Sequence, residues 1–360
     1  MKKVTLIIIT VFLLLGCNKK NKENFYESKR LNDFKLSLID SLIFYNEDKL
    51  FISQTYDIIS NGRYILISDF NFMKVWIFNK NLKLIKIIGH KGHGPQEYTY
   101  PPNIVFVDDT LYLIDTKSRN INIYDKNFNF INGIKLPNDI VFPGYSPIYN
   151  KKNFIFFGFK PEEFSYDNLS NSPSLFAFDC SFNLKESFFT WDKEYDNKTA
   201  YLLDNLKVLL CNGGYKDFFA KQTGTFKITN FDENFNQYRS FGIKPKYYRN
   251  PPDAKFSEVQ RSAEAAVEFT SQTTTFLRIE YDDINSLLLI NYVNLEKDFF
   301  YERTLLLGKH YLQVYNKKYD CIYDGPIPGK LAFTMDGRIY ILTDEKPEFI
   351  KFKVFKLIKQ

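Results

Sequence analysis

The stretch Ile67–Leu82, ISDFNFMKVWIFNKNL, decides the fold because it recurs along the chain. Its second copy is Leu113–Phe128, LIDTKSRNINIYDKNF, which begins 46 residues later (113 minus 67) and repeats every element in order. In both copies a short apolar run ends in Asp, an alternating apolar run follows, and Asp or Asn then precedes a turn. The second half of this unit returns at Leu175–Asn183, at Phe226–Asn236 and, more weakly, at Tyr311–Tyr319.

Each copy predicts two strands joined by a tight turn. Side chains alternate with a period of two, which is typical of a strand and not of a helix. Asp and Asn favour tight turns because their side chains bond the local backbone. Another strand pair precedes each copy, with turns such as Asn61-Gly62 and Asp336-Gly337 that are strong hairpin signals. The repeating unit is therefore a four-stranded antiparallel meander.

Repeated four-stranded units predict an all-β fold, a six-bladed β-propeller. The 360-residue chain accommodates six units of about 50 residues once a leader, a tether and an insertion are set aside. We place the blades near residues 50–90, 100–138, 145–190, 200–243, 276–318 and 321–358. Residues 33–44 are expected to form the outer strand of the last blade, which closes the ring and removes free sheet edges. Two stacked β-sandwiches are the alternative.

One segment departs from the β pattern. Residues 253–269 follow Pro251-Pro252 and place their apolar residues on one helical face, so a short helix with Asp253 as its N-cap is predicted. This insertion either packs on the side or rim of the propeller, which we favour, or covers the central channel as a lid.

The N-terminal residues predict the cellular location of the protein. Two lysines precede the 12-residue apolar run Val4–Leu15, which is shorter than the ~20 residues needed to span a bilayer. Leu14–Cys17, LLGC, resembles the lipobox of bacterial lipoproteins, which implies lipidation at Cys17. The expected domains are a signal peptide at 1–16, the lipidated Cys and a flexible tether at 17–33, and the propeller at 34–360. An ordinary signal peptide or short anchor with a chance Cys is the alternative. The expected location is the outer membrane, on its periplasmic side or at the cell surface.

Composition limits the possible partners. The 64 aromatic residues (37 Phe, 25 Tyr and 2 Trp) and 44% apolar content exclude chain-wide disorder. The net charge of +6 is scattered, without a basic stripe among aromatics, so no nucleic-acid partner is expected. We predict a monomer held on the membrane by its lipid, with an envelope protein or a glycan as ligand and no cofactor. Cys180, Cys211 and Cys321 are expected to be buried thiols that form at most one disulfide.

Two stretches resemble a known group of proteins. Ile87–Tyr98, IIGHKGHGPQEY, is similar to the Gly-x-x-Gly-x-Gly-Pro-x-Glu-aromatic loop of six-bladed β-propeller lipoproteins of Bacteroidetes, which are TolB-like and NHL-like. Asp115–Asp125, DTKSRNINIYD, looks like an NHL repeat. The resemblance implies the fold and the envelope address. It carries no catalytic assignment.

The same loop holds a candidate ligand-binding group. His90, His93, Glu97 and Tyr98 lie in it, and imidazole with carboxylate suits zinc or nickel. The spacing falls on a Gly-Pro loop instead of a helix, so a metal site is the weaker interpretation. The default is a structural turn between blades, in which Glu97 and Tyr98 bond neighbouring backbone. Pro95 and the lack of a following helix argue against a dinucleotide fingerprint.

A second candidate group consists of carboxylates at repeated positions. Asp69, Asp115 and Asp344 each end a second strand, so they are expected to gather on one face around the channel and hold a cation or sugar hydroxyls. The alternative is turn capping, in which each Asp accepts backbone N–H groups. Arg119 lies nearby and joins the candidate ligand-binding residues. Further loop residues are Arg63, Arg338, Tyr100, Tyr149, Tyr247 and Tyr248.

Two functions remain open at this point. The first is a non-enzymatic, membrane-tethered propeller that binds a ligand or protein near the channel mouth. The second is a metal-dependent lyase or hydrolase acting on a glycan or lactone at the same place. The chain has no Gly-x-Ser-x-Gly, His-Glu-x-x-His or Walker motif, and nothing selects a catalytic His among His90, His93 and His310.

Overall fold

The structure, a computed structural model, describes residues 25–45, 51–144, 147–164, 166–195, 207–214, 217–250, 252, 259, 261–298 and 305–360. It confirms the all-β six-bladed propeller, in which six sheets of four antiparallel strands surround a central hub. The predicted leader and the predicted lipidation position, Cys17, lie outside the described residues. Among those that are described, no helix is long and apolar enough to cross a bilayer.

The strands are numbered in chain order. Two N-terminal strands come first, β1 (Phe25–Glu27) and β2 (Phe34–Tyr45). The first blade comprises β3 (Thr55–Ser60), β4 (Tyr64–Asp69), β5 (Val75–Asn79) and β6 (Leu84–Ile88), and a short parallel pair follows, β7 (His90–Lys91) and β8 (Glu97–Tyr98). The second blade comprises β9 (Asn103–Val107), β10 (Thr110–Asp115), β11 (Asn120–Tyr124) and β12 (Phe130–Lys135). The third comprises β13 (Ile148–Tyr149), β14 (Phe154–Phe157), β15 (Pro173–Phe178) and β16 (Leu184–Thr190).

The remaining three blades follow in the same way. The fourth comprises β17 (Val208–Gly213), β18 (Asp217–Gln222), β19 (Ile228–Phe231) and β20 (Gln237–Gly242). The fifth comprises β21 (Thr274–Asp282), β22 (Leu287–Asn294), β23 (Lys309–Tyr315) and β24 (Cys321–Pro326). The sixth comprises β25 (Lys330–Met335), β26 (Arg338–Lys346) and β27 (Phe349–Lys359), with β2 as its outer strand.

The N-terminal strand closes the ring as the sequence predicts. Strand β2 pairs antiparallel with β27 from Phe34 opposite Lys359 to Tyr45 opposite Phe349. One predicted blade boundary is wrong, however, because Cys321–Pro326 pairs with β23 and belongs to the fifth blade. The reason is ring closure itself: the sixth blade takes its fourth strand from the N-terminus, so only three of its strands come from the end of the chain.

The core is divided among the blade interfaces. Among the described residues, six buried apolar clusters each join two neighbouring blades, and a seventh small cluster, Val259 with Phe269, lies in the insertion. Adjacent residues of one strand enter different clusters: Leu66 packs toward the second blade and Ile67 toward the sixth. Strands such as β5, whose residues Val75–Phe78 are all buried, therefore face apolar neighbours on both sides.

The recurring turn has a defined geometry. The Asp or Asn that starts it accepts backbone N–H groups from the residues two and four positions later, as Asp125 does from Asn127 and Asn129 at 2.8 Å each. The residue three positions after it lies in the left-handed region, with φ between 59° and 66°. These residues are Leu82, Phe128, Phe182, Phe235 and Tyr319. The repeat seen in the sequence is thus an Asx-capped turn whose left-handed residue is large and apolar.

The described part of the insertion confirms a short helix. Helix α1 spans Ala263–Ser271, and the Ser262 hydroxyl caps it by accepting the Ala265 N–H at 3.1 Å. The predicted N-cap Asp253 lies outside the described residues. Arg249 donates to the Ser271 carbonyl at 2.9 Å, which ties the end of α1 to the loop after the fourth blade.

Candidate functional site

The hub, the central channel lined by the first strand of each blade, contains the candidate site. A cavity of about 320 Å³ lies inside it, with walls from the first strands of blades one to five. A second cavity of about 520 Å³, here called the mouth cavity, opens at the face that carries the turns between first and second strands. The two share the lining residues Phe106, Tyr149, Asn212 and Asp283, so they lie next to each other. Helix α1 contributes no residue to either cavity.

Arg278 organises the charged groups of the hub. Strand β21 carries it, and a register shift between Phe276 and Arg278 turns its side chain relative to the regular pleat. The guanidinium donates from Nη1 to Asp57 Oδ1 at 3.1 Å, from Nη2 to the Ile58 carbonyl at 2.7 Å and from Nε to Glu280 Oε1 at 2.6 Å. A cation of the fifth blade is thereby bound to a carboxylate and a carbonyl of the first blade.

Two more charged groups surround this centre. Lys330 begins β25, and Glu345 of β26 accepts the Thr55 backbone N–H. Burial lowers the pKa of Lys330, and the nearby positive charge of Arg278 lowers it further. Burial raises the pKa of Glu345 and also that of Glu280, against the opposing effect of Arg278 on Glu280. Desolvation therefore disfavours the charged form of all three groups.

The mouth cavity is acidic. Its charged lining residues are Asp108, Lys151, Asp217 and Asp283, so three carboxylates face one amine. Burial raises the pKa of Asp217 and of Asp283, and the neighbouring Asp282 adds to the rise for Asp283. An incoming cation would relieve this repulsion and stabilise the ionised carboxylates. Tyr149 and Asn212 offer neutral polar groups beside them.

Two of the carboxylates predicted to gather around the channel, Asp69 and Asp115, accept hydrogen bonds from nearby turns and loops. Asp69 is fully buried and accepts from Ser53 N and Oγ, both at 2.7 Å, and from two turn amides. Asp115 repeats this pattern with Thr99, at 2.7 and 2.9 Å, and with the amides after it. These contacts match the turn-capping alternative, and they fix the loops that enter the first and second blades. They lie at the face opposite the mouth cavity, because the second strand ends where the first begins.

Asp344 differs from the other two carboxylates. A register shift between Leu342 and Asp344 moves it out of the capping position, and its carboxylate accepts from Thr343 Oγ1 at 3.1 Å. The neighbouring Glu345 contacts the entry to the first blade instead, through the N–H of Thr55. The three repeated positions therefore do not create three equivalent sites.

The glycine-rich loop brings two of its candidate residues together. His90 Nε2 lies 2.9 Å from Glu97 Oε1, and Glu97 Oε2 accepts the Gly94 N–H at 2.6 Å. The Gly94 amide and then His90 lower the pKa of Glu97. His93 is exposed, whereas Tyr98 is completely buried with its hydroxyl 3.0 Å from that of Tyr124. Within the described part of the chain, no group of three His, Cys, Asp or Glu side chains is arranged to hold a metal.

The other candidate residues mostly have structural contacts. Arg119 donates to the Pro137 carbonyl at 2.7 Å, and Arg63 forms an exposed ion pair with Asp109 at 3.5 Å. Tyr247 stacks on Tyr311 with ring centroids 4.5 Å apart, Tyr248 packs on Phe276, and Tyr100 packs on Tyr56. His310 is buried in β23, and Arg338 is exposed at the start of β26. Among the tyrosines proposed from the sequence as loop residues, Tyr149 is the one that lines the hub cavity.

The cysteines differ from the expectation at one position. Cys211 and Cys321 are buried free thiols, but Cys180 is exposed in the turn after β15 and lies 3.6 Å from the Tyr149 hydroxyl. Burial raises the pKa of Cys211 well above its usual range, so its thiol stays protonated. Cys211 also lines the hub cavity.

Sequence reasoning missed the charged residues of the hub. The available signal was a strand, TTFLRIEYD, in which Arg278 and Glu280 interrupt an apolar and β-branched run in a first-strand position. First strands face the channel, so charged residues there point into the hub. The partner of Arg278 lies 221 positions earlier, at Asp57, and only the closed ring brings the two together.

Comparisons with known proteins extend the fold assignment. No family model matches the chain, and no curated protein matches it in sequence. A member of the duf4221 family from Bacteroides vulgatus matches with a TM-score of 0.72 at 14% identity, over 92% of this chain and 100% of the other. A second structure, from Bacteroides fragilis, is named as a putative exported protein. It matches with a TM-score of 0.58 at 15% identity, over 93% of this chain and 99% of the other. At these identities the likeness shows that the chain shares the propeller fold of these Bacteroides proteins.

Proposed function

We propose that the chain is a lipid-anchored binding module of the cell envelope whose hub takes an organic cation, such as a primary amine on a sugar or peptide. The observation that carries the ligand class is the charge of the hub. Its two cavities are lined by four carboxylates and two cations, while the whole chain carries a net charge of +6. A cavity whose net charge is opposite in sign to that of the whole protein selects ligands by their charge.

The proposed location in the cell envelope is supported by the sequence and by the fold. Leu14–Cys17 supplies the lipobox-like motif, and lipidation there provides the two or more chains that stable anchoring needs. The Bacteroides fragilis neighbour, named for its export, has the same fold over nearly its whole length. An exported, tethered propeller places its hub where envelope glycans and peptides are encountered.

The carboxylates of the mouth cavity provide the recognition. Asp217 and Asp283 have pKa values that burial raises, so they gain most from a positive partner. Tyr149 and Asn212 can bond hydroxyl groups beside the amine. The ligand is thus expected to combine a cation with neutral polar groups, as an amino sugar does.

Paired probes test this function. Glucosamine, putrescine and trilysine are titrated calorimetrically into the full chain, each beside its N-acetylated counterpart, in which a neutral amide with an added acetyl group replaces each charged amine. At least one amine should bind saturably while its acetylated form does not. Asp283→Asn should weaken that binding by about tenfold or more, the loss of roughly one charged hydrogen bond. Asp109→Asn, an exposed carboxylate of a first-hairpin turn that lines neither hub cavity, is the matched control.

Occupancy of the hub has an independent readout. In a Cys180→Ser background, Lys151→Cys places an exposed thiol in the lining of the mouth cavity, while Cys211 and Cys321 are buried. A bound amine should slow the modification of this introduced thiol by a maleimide, whereas its acetylated form should not. Equal affinity for the amine and the acetylated probes, or binding that leaves the introduced thiol unprotected, would contradict the proposal.

A further inference from the structure

An N-terminal strap crosses the outside of the fourth and fifth blades. Strand β1 adds to β20 as a parallel fifth strand, with Phe25 opposite Ser240. The chain then forms a bridge between Arg30 and Cys321 at the start of β24. Arg30 pairs with the buried Asp324 at 3.0 Å and donates to the Lys244 carbonyl at 2.6 Å. The strap therefore has a fixed place on the rim.

Exposed apolar groups mark this part of the rim. Phe25 and Leu31 of the strap are 44% and 40% exposed, and Tyr238 of β20 is 62% exposed. Scattered apolar residues are ordinary on a protein surface, so these three alone do not define a partner. The charged residues around them indicate the kind of partner.

Six exposed basic residues surround these apolar groups. They are Lys29, Arg239, Lys244, Lys246, Lys317 and Lys318. Together with Phe25, Leu31 and Tyr238 they are called the strap face below. Contacts place them together: the Arg239 guanidinium lies 5.8 Å from the ring of Tyr26, the Tyr26 hydroxyl donates to Asp320 at 2.7 Å, and Lys317 and Lys318 lie in the turn before Asp320.

Negative charge is scarce on the strap face. Asp320 and Asp324 are buried and already bonded to the strap, which leaves Glu27 and Asp33 as its exposed carboxylates. None of the six basic residues forms an ion pair with a carboxylate that the structure describes. The surface is therefore strongly positive with aromatic groups in its midst.

The tether fixes what can reach this surface. Eight residue steps separate Cys17 from Phe25, so the two lie within about 28 Å of each other even if the chain is fully extended. Residues 18–24, NKKNKEN, add three lysines against one glutamate. Lysine clusters beside a membrane attachment point are attracted to anionic headgroups, and aromatic side chains favour the interfacial layer.

We propose that the strap face is a membrane-contact surface that lies against anionic phospholipid headgroups and holds the propeller in one orientation on the bilayer. This inference rests on the proposed lipid anchor at Cys17. The lipid limits the distance from the bilayer, and the basic and aromatic residues select which side of the ring turns toward it.

Two tryptophan reporters test the orientation. The full lipidated chain is reconstituted into vesicles of phosphatidylcholine and phosphatidylglycerol with brominated acyl chains. Tyr238→Trp places a reporter on the strap face, and Ile131→Trp places one on the outer strand of the second blade, which is 58% exposed and opposite the fifth blade. The native Trp76 and Trp191 are buried and contribute a constant background. The Tyr238→Trp emission should be quenched at least about twofold more strongly than the Ile131→Trp emission.

Charge reversal separates electrostatics from the tether. Lys317→Glu with Lys318→Glu should remove most of the difference between the two reporters. The matched control is Lys80→Glu with Lys126→Glu, exposed lysines in the same type of turn on the first two blades. That control should leave the difference unchanged.

Flotation of the vesicles distinguishes the two ways of failing. A chain that does not float with the vesicles refutes the anchor, and the membrane face with it. A chain that floats with equal quenching at both reporters refutes only the face. If the Tyr238→Trp emission is shielded without bromolipid quenching and the chain is dimeric, a second copy covers the strap face and the proposal is wrong.

Discussion

Arg278 of the fifth blade donates to Asp57 of the first blade across the hub, with 3.1 Å between Nη1 and Oδ1. The sixth blade lies between these two in the ring, so the contact spans a blade that neither residue belongs to. Both side chains are largely buried, with 15% and 4% of their surface exposed. Burial opposes the charge of Arg278, but Glu280 and Asp57 together raise its pKa above the ordinary value.

We expect Arg278→Met to destabilise the fold strongly. The substitution removes the guanidinium that bonds Asp57 and Glu280 in a buried setting, which costs about 3–5 kcal/mol. Urea unfolding measures the change in the free energy of unfolding. Arg63→Met breaks the exposed pair with Asp109, in which 77% and 71% of the side chains are exposed, and should change stability by less than about 1 kcal/mol. Equal losses in the two variants would refute the assigned role of Arg278.

Lys221 should make stability depend on alkaline pH. It is 1% exposed, its Nζ lies 3.5 Å from the centroid of Phe276, and it donates to the carbonyl oxygens of Gln222 and Thr225. Burial lowers its pKa well below 10.5, so between the folded value and 10.5 the unfolded chain binds more protons and stability rises with pH. Lys221→Met should remove this rise in urea unfolding series. Leu209→Met, at the position paired with Lys221, should retain it.

The capped turns should control acid stability. Backbone N–H donors, that of Asn129 first, lower the pKa of Asp125, and the Asn183 amide first lowers that of Asp179 to about 2. The folded values lie below the unfolded value of 3.8, so this stability is present above pH 3.8 and is lost as pH falls toward 2.

Replacement by Asn separates the charge from the turn geometry. Asn79 and Asn316 accept the same backbone donors at equivalent positions, so Asp125→Asn with Asp179→Asn keeps the turns. The double variant should show a flatter fall in melting temperature below pH 4 than the parent chain. A parallel fall would mean that other carboxylates govern acid unfolding.

Phe128 should tolerate Gly better than Ala. Its φ is 60° and its side chain is 3% exposed in the cluster between the first two blades. Truncation of a buried Phe costs about 3–5 kcal/mol, and Gly recovers up to about 1 kcal/mol of that because it adopts the left-handed region without strain. At Phe156, a buried strand residue of β14, the order should reverse. Chemical denaturation of the four variants decides this.

The blade architecture was predictable because it depends on local signals. The Asx turn, the large residue three positions later and the hairpins such as Asp336-Gly337 are all readable within a few residues. Pairing of residues 33–44 as the closing strand followed from the ring. The predicted blade boundary at Cys321 was wrong for two reasons. The last copy of the repeat is weak, and the way the ring closes decides which part of the chain supplies the outer strand of the sixth blade.

The candidate site was far less predictable. Asp69 and Asp115 were predicted as site residues because they occupy repeated positions. An Asp that repeats at a turn usually caps that turn. The hub residues do not repeat: Arg278, Lys330 and Glu345 each occur in one blade. Their proximity arises from contacts between distant parts of the chain, which a single sequence does not encode as a visible pattern.

Closure by β2 also sets an order of events. Phe34 precedes its partner Lys359 by 325 positions (359 minus 34). The sixth sheet cannot be completed until both partners have been synthesised, however early the other blades assemble. The circle therefore stays unlatched, with β2 lacking its partner strand, for as long as the residues between β2 and β27 are still being made.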